Sequence, residues 1–145
     1  MTALLLDDQL CFAVYAASRA MIGVYRPVLD ELGLTYPQYL TLLVLWEQSP
    51  VSVSHLGLRL QLDSGTLTPL LKRLEKQGLV ERQRRADDER VVDIHLTLAG
   101  KKLRARALKV PEAMLCRLNR TRSEAMALRD QLHLLTQHLT ATKKG

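Results

Sequence analysis

The fold of this chain is decided by Leu62-Asp63-Ser64-Gly65-Thr66-Leu67-Thr68-Pro69-Leu70-Leu71-Lys72-Arg73-Leu74-Glu75-Lys76-Gln77-Gly78. Asp63 and Ser64 are placed to cap the start of a helix, and Gly78 is placed to stop it. Between them leucines recur at helical spacing and basic residues fill the last turn. We therefore predict an amphipathic helix. Pro69 removes one of its backbone hydrogen bonds and bends its first turn unless the helix begins later than Ser64.

The residues that follow predict a β-hairpin. Leu79 to Gln83 alternates as a strand, a polar run from Arg84 to Arg90 turns the chain, and Val91 to Leu96 alternates back. A short polar helix start that leads into a ribbon with a basic tip suits contact with the grooves and backbone of duplex DNA. The plain alternative is a helix and hairpin with a solvated, charged loop.

Upstream of this stretch we predict a helix with Pro37 at its first position, which Ser49-Pro50 ends. Val51-Ser52-Val53 then forms a short strand that pairs with the hairpin. Ser52 or Ser54 caps the next helix, which runs from His55 to Leu60.

The two ends of the chain predict long helices with narrow apolar seams. The first helix is capped by Asp7 or Asp8, and the last begins near Thr121 or Ser123. Between them we predict one long helix over 98–118 that kinks at Pro111. The seams consist of Leu10, Val14, Ala17, Met21, Val24 and Val28 on the first helix, Leu103, Leu108, Leu115 and Leu118 on the long one, and Leu128, Leu132, Leu135 and Leu139 on the last.

Such seams bury too little core on their own, so we expect them to pair with the same helices of a second chain in a two-fold dimer. The expected division is therefore 1–34 and 98–145 for dimerisation, and 35–97 for binding DNA. The fold class is mainly α with a small β-wing.

The composition limits the classes of function. A formal net charge of +6 and a pI near 9.6 permit nucleic-acid binding. We expect a cytoplasmic protein without a membrane segment, because no signal peptide or membrane-spanning apolar run is visible. The two cysteines are then buried fillers or redox-active thiols rather than a permanent bridge. No catalytic triad or phosphate-binding glycine loop is present and the four histidines are scattered, so we expect neither a metal nor a cofactor.

The helix, turn, helix and arginine-rich hairpin, with Asp88-Glu89-Arg90 at its tip and 96–100 (LTLAG) after it, resemble the winged helix-turn-helix of MarR-type regulators. The resemblance implies a recognition helix in the major groove and a wing arginine in the adjacent minor groove. The expected DNA-binding residues are Ser64, Thr66, Thr68, Pro69, Lys72, Arg73, Arg84, Arg85, Asp88 and Arg90.

A narrower resemblance covers residues 7 to 100. The segments 10–19 (LCFAVYAASR), 25–27 (YRP), 32–39 (LGLTYPQY) and 45–47 (LWE) are similar to organic hydroperoxide resistance regulators, a peroxide-sensing branch of the MarR family. The resemblance implies that Cys11 is a repressor's sensing thiol and that Tyr25 and Tyr36 hydrogen-bond its thiolate. It also makes Cys116 a resolving cysteine, as in the two-cysteine members, that forms a disulfide with oxidised Cys11.

The residues alone leave other roles open for these side chains. Cys11 falls near the third or fourth position of the first helix and suits a small buried apolar residue. Cys116 suits a core filler, and both tyrosines suit amphipathic core positions at helix ends. Cys11 and Tyr25 are fourteen residues apart, about 21 Å along one helix, so a shared site has to cross the dimer interface.

Three functions follow from these readings. The first is a homodimeric repressor that leaves its inverted-repeat operator when an organic hydroperoxide oxidises Cys11. The second is a MarR-type regulator that responds to a non-covalent phenolic ligand. The third is a thiol peroxidase, against which the basic wing and the lack of an evident arginine near the thiol both argue.

Overall fold

The computed structural model describes residues 4–141. After a short 3-10 helix, Leu6–Asp8, the elements are α1 (Leu10–Asp30), α2 (Tyr36–Glu47), β1 (Val51–Ser52), α3 (Val53–Leu60), α4 (Ser64–Lys76), β2 (Val80–Arg84), β3 (Val92–Leu96), α5 (Leu98–Ala107), α6 (Val110–Leu118) and α7 (Arg122–Ala141). The chain divides into two compact units, Met1–Leu108 and Lys109–Gly145. The predicted fold class, mainly α with a small β-wing, is confirmed.

The three strands form one antiparallel sheet in the order β1-β3-β2. Ile94 of β3 pairs with Val51 on one side and with Arg82 on the other. Because Ile94 is central and fully buried, it anchors the sheet to the helices. The predicted hairpin is confirmed. The predicted short strand is present as well, but Val53, which was expected to belong to it, begins α3 instead, two residues before the predicted start of that helix at His55.

The core of the first unit lies between α2, α3, α4 and the sheet. Its largest fully buried side chains are Leu29, Leu42, Leu45, Leu56, Leu67, Leu71, Leu74, Val80 and Ile94. Burial of each such side chain contributes about 1.5–3 kcal/mol. The core is therefore filled mainly by leucine side chains, with few aromatic residues.

Local caps fix where the helices of this unit begin. The side chain of Asp63 accepts a hydrogen bond from the Thr66 N–H at 2.7 Å, and that of Ser52 accepts one from the His55 N–H at 3.1 Å. Both predicted caps are confirmed. Pro69 lies inside α4, which begins at Ser64 as the cap requires. Gly78 follows with a φ of +75°, a conformation that glycine adopts without strain.

The start of α1 differs from the prediction. Asp7 and Asp8 belong to the short 3-10 helix, in which the Asp8 N–H donates to the Leu5 carbonyl at 3.3 Å. They therefore lack the extended backbone that a cap requires, and Gln9 precedes α1 instead. Cys11 is consequently the second residue of α1, rather than the third or fourth.

Two further predictions about helices are wrong in detail. Pro37 is the second residue of α2, after Tyr36. The helix predicted over 98–118 is interrupted, since α5 ends at Ala107 and α6 begins at Val110. Pro111 is the second residue of α6, where its missing N–H breaks no helical bond. Leu108, predicted to point inward, is 63% exposed because it lies at the cap of α5, beyond the helix's buried face.

The second unit consists of α6 and α7, joined through Asn119 in a left-handed conformation. Thr121 accepts the Glu124 N–H at 3.1 Å, and the Glu124 carboxylate accepts the Thr121 N–H at 3.0 Å. This reciprocal pair confirms the predicted start of the last helix.

Both long helices expose the apolar seams that the sequence indicated. Leu10 on α1 is 65% exposed and Leu128 on α7 is 54% exposed. Met21, Leu132 and Leu139 are exposed as well. Each of the two helices therefore carries an exposed apolar face.

Candidate nucleic-acid interface and thiol site

Helix α4 presents a polar face opposite its buried leucines. Its outward residues include Ser64, Thr66, Pro69, Lys72 and Arg73, all of them exposed, while Thr68 is half-buried. The first turn offers hydroxyl groups and the later turns offer two cations. This arrangement suits base edges at one end and phosphates at the other.

The hairpin between β2 and β3 is held by ion pairs. The Arg85 guanidinium donates to both oxygens of Asp93, at 3.0 Å from Nε and 2.8 Å from Nη2. These bonds lower the pKa of Asp93. Arg84 donates to the Glu89 carbonyl at 2.9 Å and closes the turn. The structure therefore brings Arg84 and Arg85 into the wing, where each has an intramolecular partner.

The tip of the hairpin is organised around Asp88. Its carboxylate accepts the backbone N–H of Arg90 at 3.1 Å, the Arg90 Nε at 3.1 Å and the Arg90 Nη2 at 3.3 Å. The same hydrogen bonds lower the pKa of Asp88. The Arg90 side chain is 91% exposed, so Asp88 orients a guanidinium that is otherwise open to solvent.

A third carboxylate, which the sequence analysis missed, joins the helix to the hairpin. Glu75 of α4 accepts the Arg82 backbone N–H at 3.2 Å, and its other oxygen accepts Arg82 Nε and Nη2 at 3.2 and 3.1 Å. These bonds lower the pKa of Glu75. The sequence carries no sign of the pairing, since a seven-residue separation across a helix end and a turn depends on the turn's geometry.

Tyr25 and Tyr36 lie together although they belong to different helices. Their ring centroids are 4.8 Å apart, with planes inclined by 46°. Tyr39, which the sequence reading did not assign to the site, lies with its ring 6.0 Å from that of Tyr25. Tyr39 follows Tyr36 by about one helical turn, and this spacing is the sequence feature that could have placed it in the site.

Burial keeps these phenols neutral. It raises the pKa of Tyr25 to about 12, with smaller contributions from Tyr36 and then Tyr39. Burial also raises the pKa of Tyr36 and of Tyr39, and Tyr36 adds to the effect on Tyr39. A neutral phenol donates a hydrogen bond, so the pair suits an anionic acceptor.

The two thiols are exposed. Cys11 lies in the first turn of α1, and Cys116 lies on α6 in the second unit. Because Cys11 and Tyr25 share the continuous helix α1, they lie about 21 Å apart along its axis. The structure thus brings the tyrosines together but does not bring Cys11 to them within one chain.

Nothing in the described part of the chain, residues 4–141, suggests a metal centre: it contains no cluster of three metal-ligating His, Cys, Asp or Glu side chains. None of the described helices is long and apolar enough to cross a membrane.

Known proteins match this chain over most of its length. Residues 23–106 match the family model "Transcriptional regulator SarA/Rot". The organic hydroperoxide resistance transcriptional regulator of Bacillus subtilis (strain 168) is 46% identical, over 92% of this chain and 91% of the relative.

Solved structures agree with these matches. Reduced AbfR of Staphylococcus epidermidis bound to DNA has a TM-score of 0.77 at 37% identity, covering 93% of this chain and 95% of that one. Disulfide-formed AbfR has a TM-score of 0.65 at 39% identity, covering 94% and 92%. MarR itself, with a TM-score of 0.71 at 24% identity over 89% and 96% of the two chains, supports the fold alone. This chain belongs to the MarR-type winged-helix family of DNA-binding transcriptional regulators, and it is not an enzyme.

Proposed function

We propose that this protein is a cytoplasmic, redox-sensing transcriptional repressor that binds an inverted-repeat operator as a homodimer. An organic hydroperoxide is the inducer: it oxidises Cys11, which then forms a disulfide with Cys116 of the other subunit, and the operator is released. The observation that carries the proposal is that Cys11 lies in the first turn of α1, whereas Tyr25 lies toward the other end of that helix and contacts Tyr36 of α2. The peroxide and disulfide named for the similar regulators support the same reading.

The thiol end of α1 offers backbone hydrogen-bond donors to an anion. As the second residue of the helix, Cys11 lies among backbone N–H groups without helical partners, at the positive end of the helix dipole. Asp7 and Asp8 oppose this effect from the preceding turn. In the proposal a neutral phenol donates a hydrogen bond to the thiolate that reacts with the hydroperoxide, and charge-assisted bonds of this kind contribute about 1.5–3 kcal/mol.

The second chain supplies that phenol. In a two-fold dimer that runs α1 against α1 in opposite directions, each Cys11 lies beside the Tyr25 and Tyr36 of the other subunit. The exposed seams of α1 and α7 support such a dimer, because large apolar patches of this kind mark protein interfaces. Residues 1–34 and 98–145 form the dimerisation part in this proposal, and 35–97 form the DNA-binding lobe.

The oxidation proceeds in two balanced steps. The Cys11 thiolate attacks the outer oxygen of the hydroperoxide, the O–O bond breaks, and a sulfenic acid and an alkoxide form. The alkoxide takes a proton from water and leaves as the alcohol. The Cys116 thiol then attacks the Cys11 sulfur, and water leaves as the S–S bond forms. A disulfide requires Cα atoms within about 7 Å, so helices that start farther apart have to move. This movement rotates the two DNA-binding lobes away from successive grooves.

The DNA contacts divide by chemistry. Ser64, Thr66, Thr68 and Pro69 face base edges at the start of α4, and Lys72 and Arg73 neutralise phosphates. Arg90, oriented by Asp88, enters the minor groove, while Arg84 and Arg85 contact the backbone beside it. All of these side chains except the half-buried Thr68 and Asp88 are exposed, which supports the assignment.

Operator binding before and after cumene hydroperoxide tests the proposal, with wild type compared with Cys11→Ser. Wild type should bind tightly when reduced and weakly after oxidation, whereas Cys11→Ser should bind equally in both conditions. Peroxide-dependent release of Cys11→Ser would overturn the proposal.

One cavity favours a second candidate, a MarR-type regulator that responds to a phenolic ligand. A space of about 250 Å³ adjoins Tyr36 and Arg26, and its other lining residues are Ile22, Leu29, Asp30, Leu34, Thr35 and Pro37. A phenol with an acidic substituent suits that lining. Under this reading Cys11→Ser leaves induction by the ligand intact, and peroxide has no effect on wild type.

A further inference from the structure

Two glutamines connect the tyrosine end of α2 with the end of α4. The Gln38 Nε2 donates to the Gln77 Oε1 at 3.2 Å, and the Gln77 Nε2 donates to the Gly33 carbonyl at 3.0 Å. Gln77 is the residue that caps the C-terminus of α4, the proposed recognition helix. A continuous path of side-chain amides therefore runs from the loop before α2 to the helix that faces DNA.

Gln38 has to follow any movement of Tyr36. Its side-chain oxygen accepts the Thr35 N–H at 2.9 Å, and its own N–H donates to the Thr35 hydroxyl at 3.4 Å. These two bonds form the capping box of α2, in which Tyr36 is the first helical residue. A displacement of Tyr36 thus carries the Gln38 amide with it.

Burial makes the next bond in the path costly to lose. Gln38 is only 4% exposed, so water does not readily replace Gln77 as the acceptor for its NH₂ group. Gln77 is exposed and borders an open cleft of about 530 Å³, which gives its side chain room to move. When Gln38 shifts, Gln77 follows it, and the last turn of α4 follows Gln77.

We propose that Gln38 and Gln77 are positioning residues that pass a change at the Tyr25–Tyr36 pair to the recognition helix. The proposal rests on the proposed function, in which oxidation of Cys11 removes the thiolate that the tyrosines hold. Loss of that acceptor shifts Tyr36 and the first turn of α2. The amide path converts this shift into a displacement of α4, in addition to the rotation of whole lobes that the disulfide causes.

Substitution of Gln77 tests this coupling with little risk to folding, because the side chain is exposed. Gln77→Leu keeps a similar size and removes both hydrogen bonds. Its matched control is Gln48→Leu, since Gln48 is an exposed glutamine that caps the C-terminus of α2 and, within residues 4–141, makes no side-chain hydrogen bond. Gln77→Glu retains an acceptor for Gln38 and loses only the donor to Gly33.

The measured quantity is the operator Kd of oxidised protein divided by that of reduced protein. Gln77→Leu should lower this ratio by roughly tenfold, the upper end of what the loss of the one neutral hydrogen bond that joins Gln38 to Gln77 implies. The operator affinity of the reduced protein and the rate at which a sulfenic-acid probe labels Cys11 should stay within about threefold of wild type. The thermal midpoint should be unchanged. A residue with only a structural role would alter those quantities and leave the ratio unchanged. Gln48→Leu and Gln77→Glu should both keep the wild-type ratio.

The outcomes separate the coupling from the proposed function. If wild type responds to peroxide and Gln77→Leu keeps the full ratio, the coupling is refuted and the proposed function stands. A ratio lost equally in Gln77→Glu and Gln77→Leu also refutes it, because Gln38 then does not carry the effect. Wild type that never leaves the operator overturns both.

Discussion

Replacement of Asp88 by alanine distinguishes orientation of the wing arginine from simple attraction to DNA. The substitution removes a negative charge and raises the formal net charge from +6 to +7 (6 + 1 = 7), so charge alone predicts tighter binding to any DNA. The geometry predicts the opposite for the operator. Asp88 is the residue that holds the backbone and guanidinium of Arg90, and the Arg90 side chain is 91% exposed.

The size of the effect follows from the loss of that orientation. Immobilising one long side chain on binding lowers affinity by a factor of roughly 2 to 12. Part of this loss is avoided here, because Asp88 already restrains the Arg90 side chain before DNA binds. We therefore expect operator affinity to fall roughly 3- to 10-fold in Asp88→Ala. Affinity for random duplex should rise about twofold, the Coulomb gain from removing one carboxylate near a phosphate in water.

Titration of both duplexes at two salt concentrations measures the two effects separately. Arg90→Ala is the comparison. It should weaken binding to both duplexes and lower the number of counterions released on binding by about one, which makes the affinity less dependent on salt. If Asp88→Ala tightens operator and random duplex in parallel, Asp88 only repels DNA and the orientation argument is refuted.

Three further predictions concern the tyrosines, the second thiol and the core. In a tyrosinate titration at alkaline pH, Tyr25→Phe should lose a step with a midpoint of about 12. Because the same phenol ionises near pH 10.0 in the unfolded chain, Tyr25 should also make the folded state less stable as pH rises from there to about 12, and equal titration curves for the two proteins would contradict this. After treatment with organic hydroperoxide, wild type should run as a covalent dimer on a non-reducing gel. Cys116→Ser should run as a monomer that still forms the sulfenic acid. If oxidised wild type runs as a monomer but still releases DNA, the partner of Cys11 is a small cellular thiol instead of Cys116. Gly100→Ala should lower the free energy of unfolding by about 1–3 kcal/mol in urea titration, because the added Cβ collides with the Leu79 carbonyl, whereas Gly23→Ala, whose Cβ meets nothing within 4 Å, should not.

Local chemistry made much of the first unit predictable. Asp63 and Ser52 cap helices because their side chains reach an N–H three residues on, which depends on the adjacent backbone alone. The strand pairing followed from alternation and a short polar turn. The start of α1 was mispredicted because the two adjacent aspartates belong to a 3-10 turn that precedes the helix, and such a turn has no clear sequence signature.

The site was less accessible from the sequence. That Tyr25 and Tyr36 meet depends on the angle between α1 and α2, which Gly33 sets with a φ of +69° and which spacing does not reveal. The links between Glu75 and Arg82 and between Gln38 and Gln77 likewise join elements through tertiary packing. A kink at Pro111, and not an interruption of the helix, was predicted because the apolar periodicity of the sequence continues across this position.

The sole tryptophan gives the protein an internal fluorescent reporter. The indole Nε1 of Trp46 donates to the Gly100 carbonyl at 2.9 Å, so one half-buried ring joins α2 to the first turn of α5. Indole emission shifts to longer wavelength when water replaces a protein partner. Any event that separates α2 from α5 therefore changes the emission of a single, known residue, and the kinetics of the proposed response to peroxide can be tested in unlabelled protein.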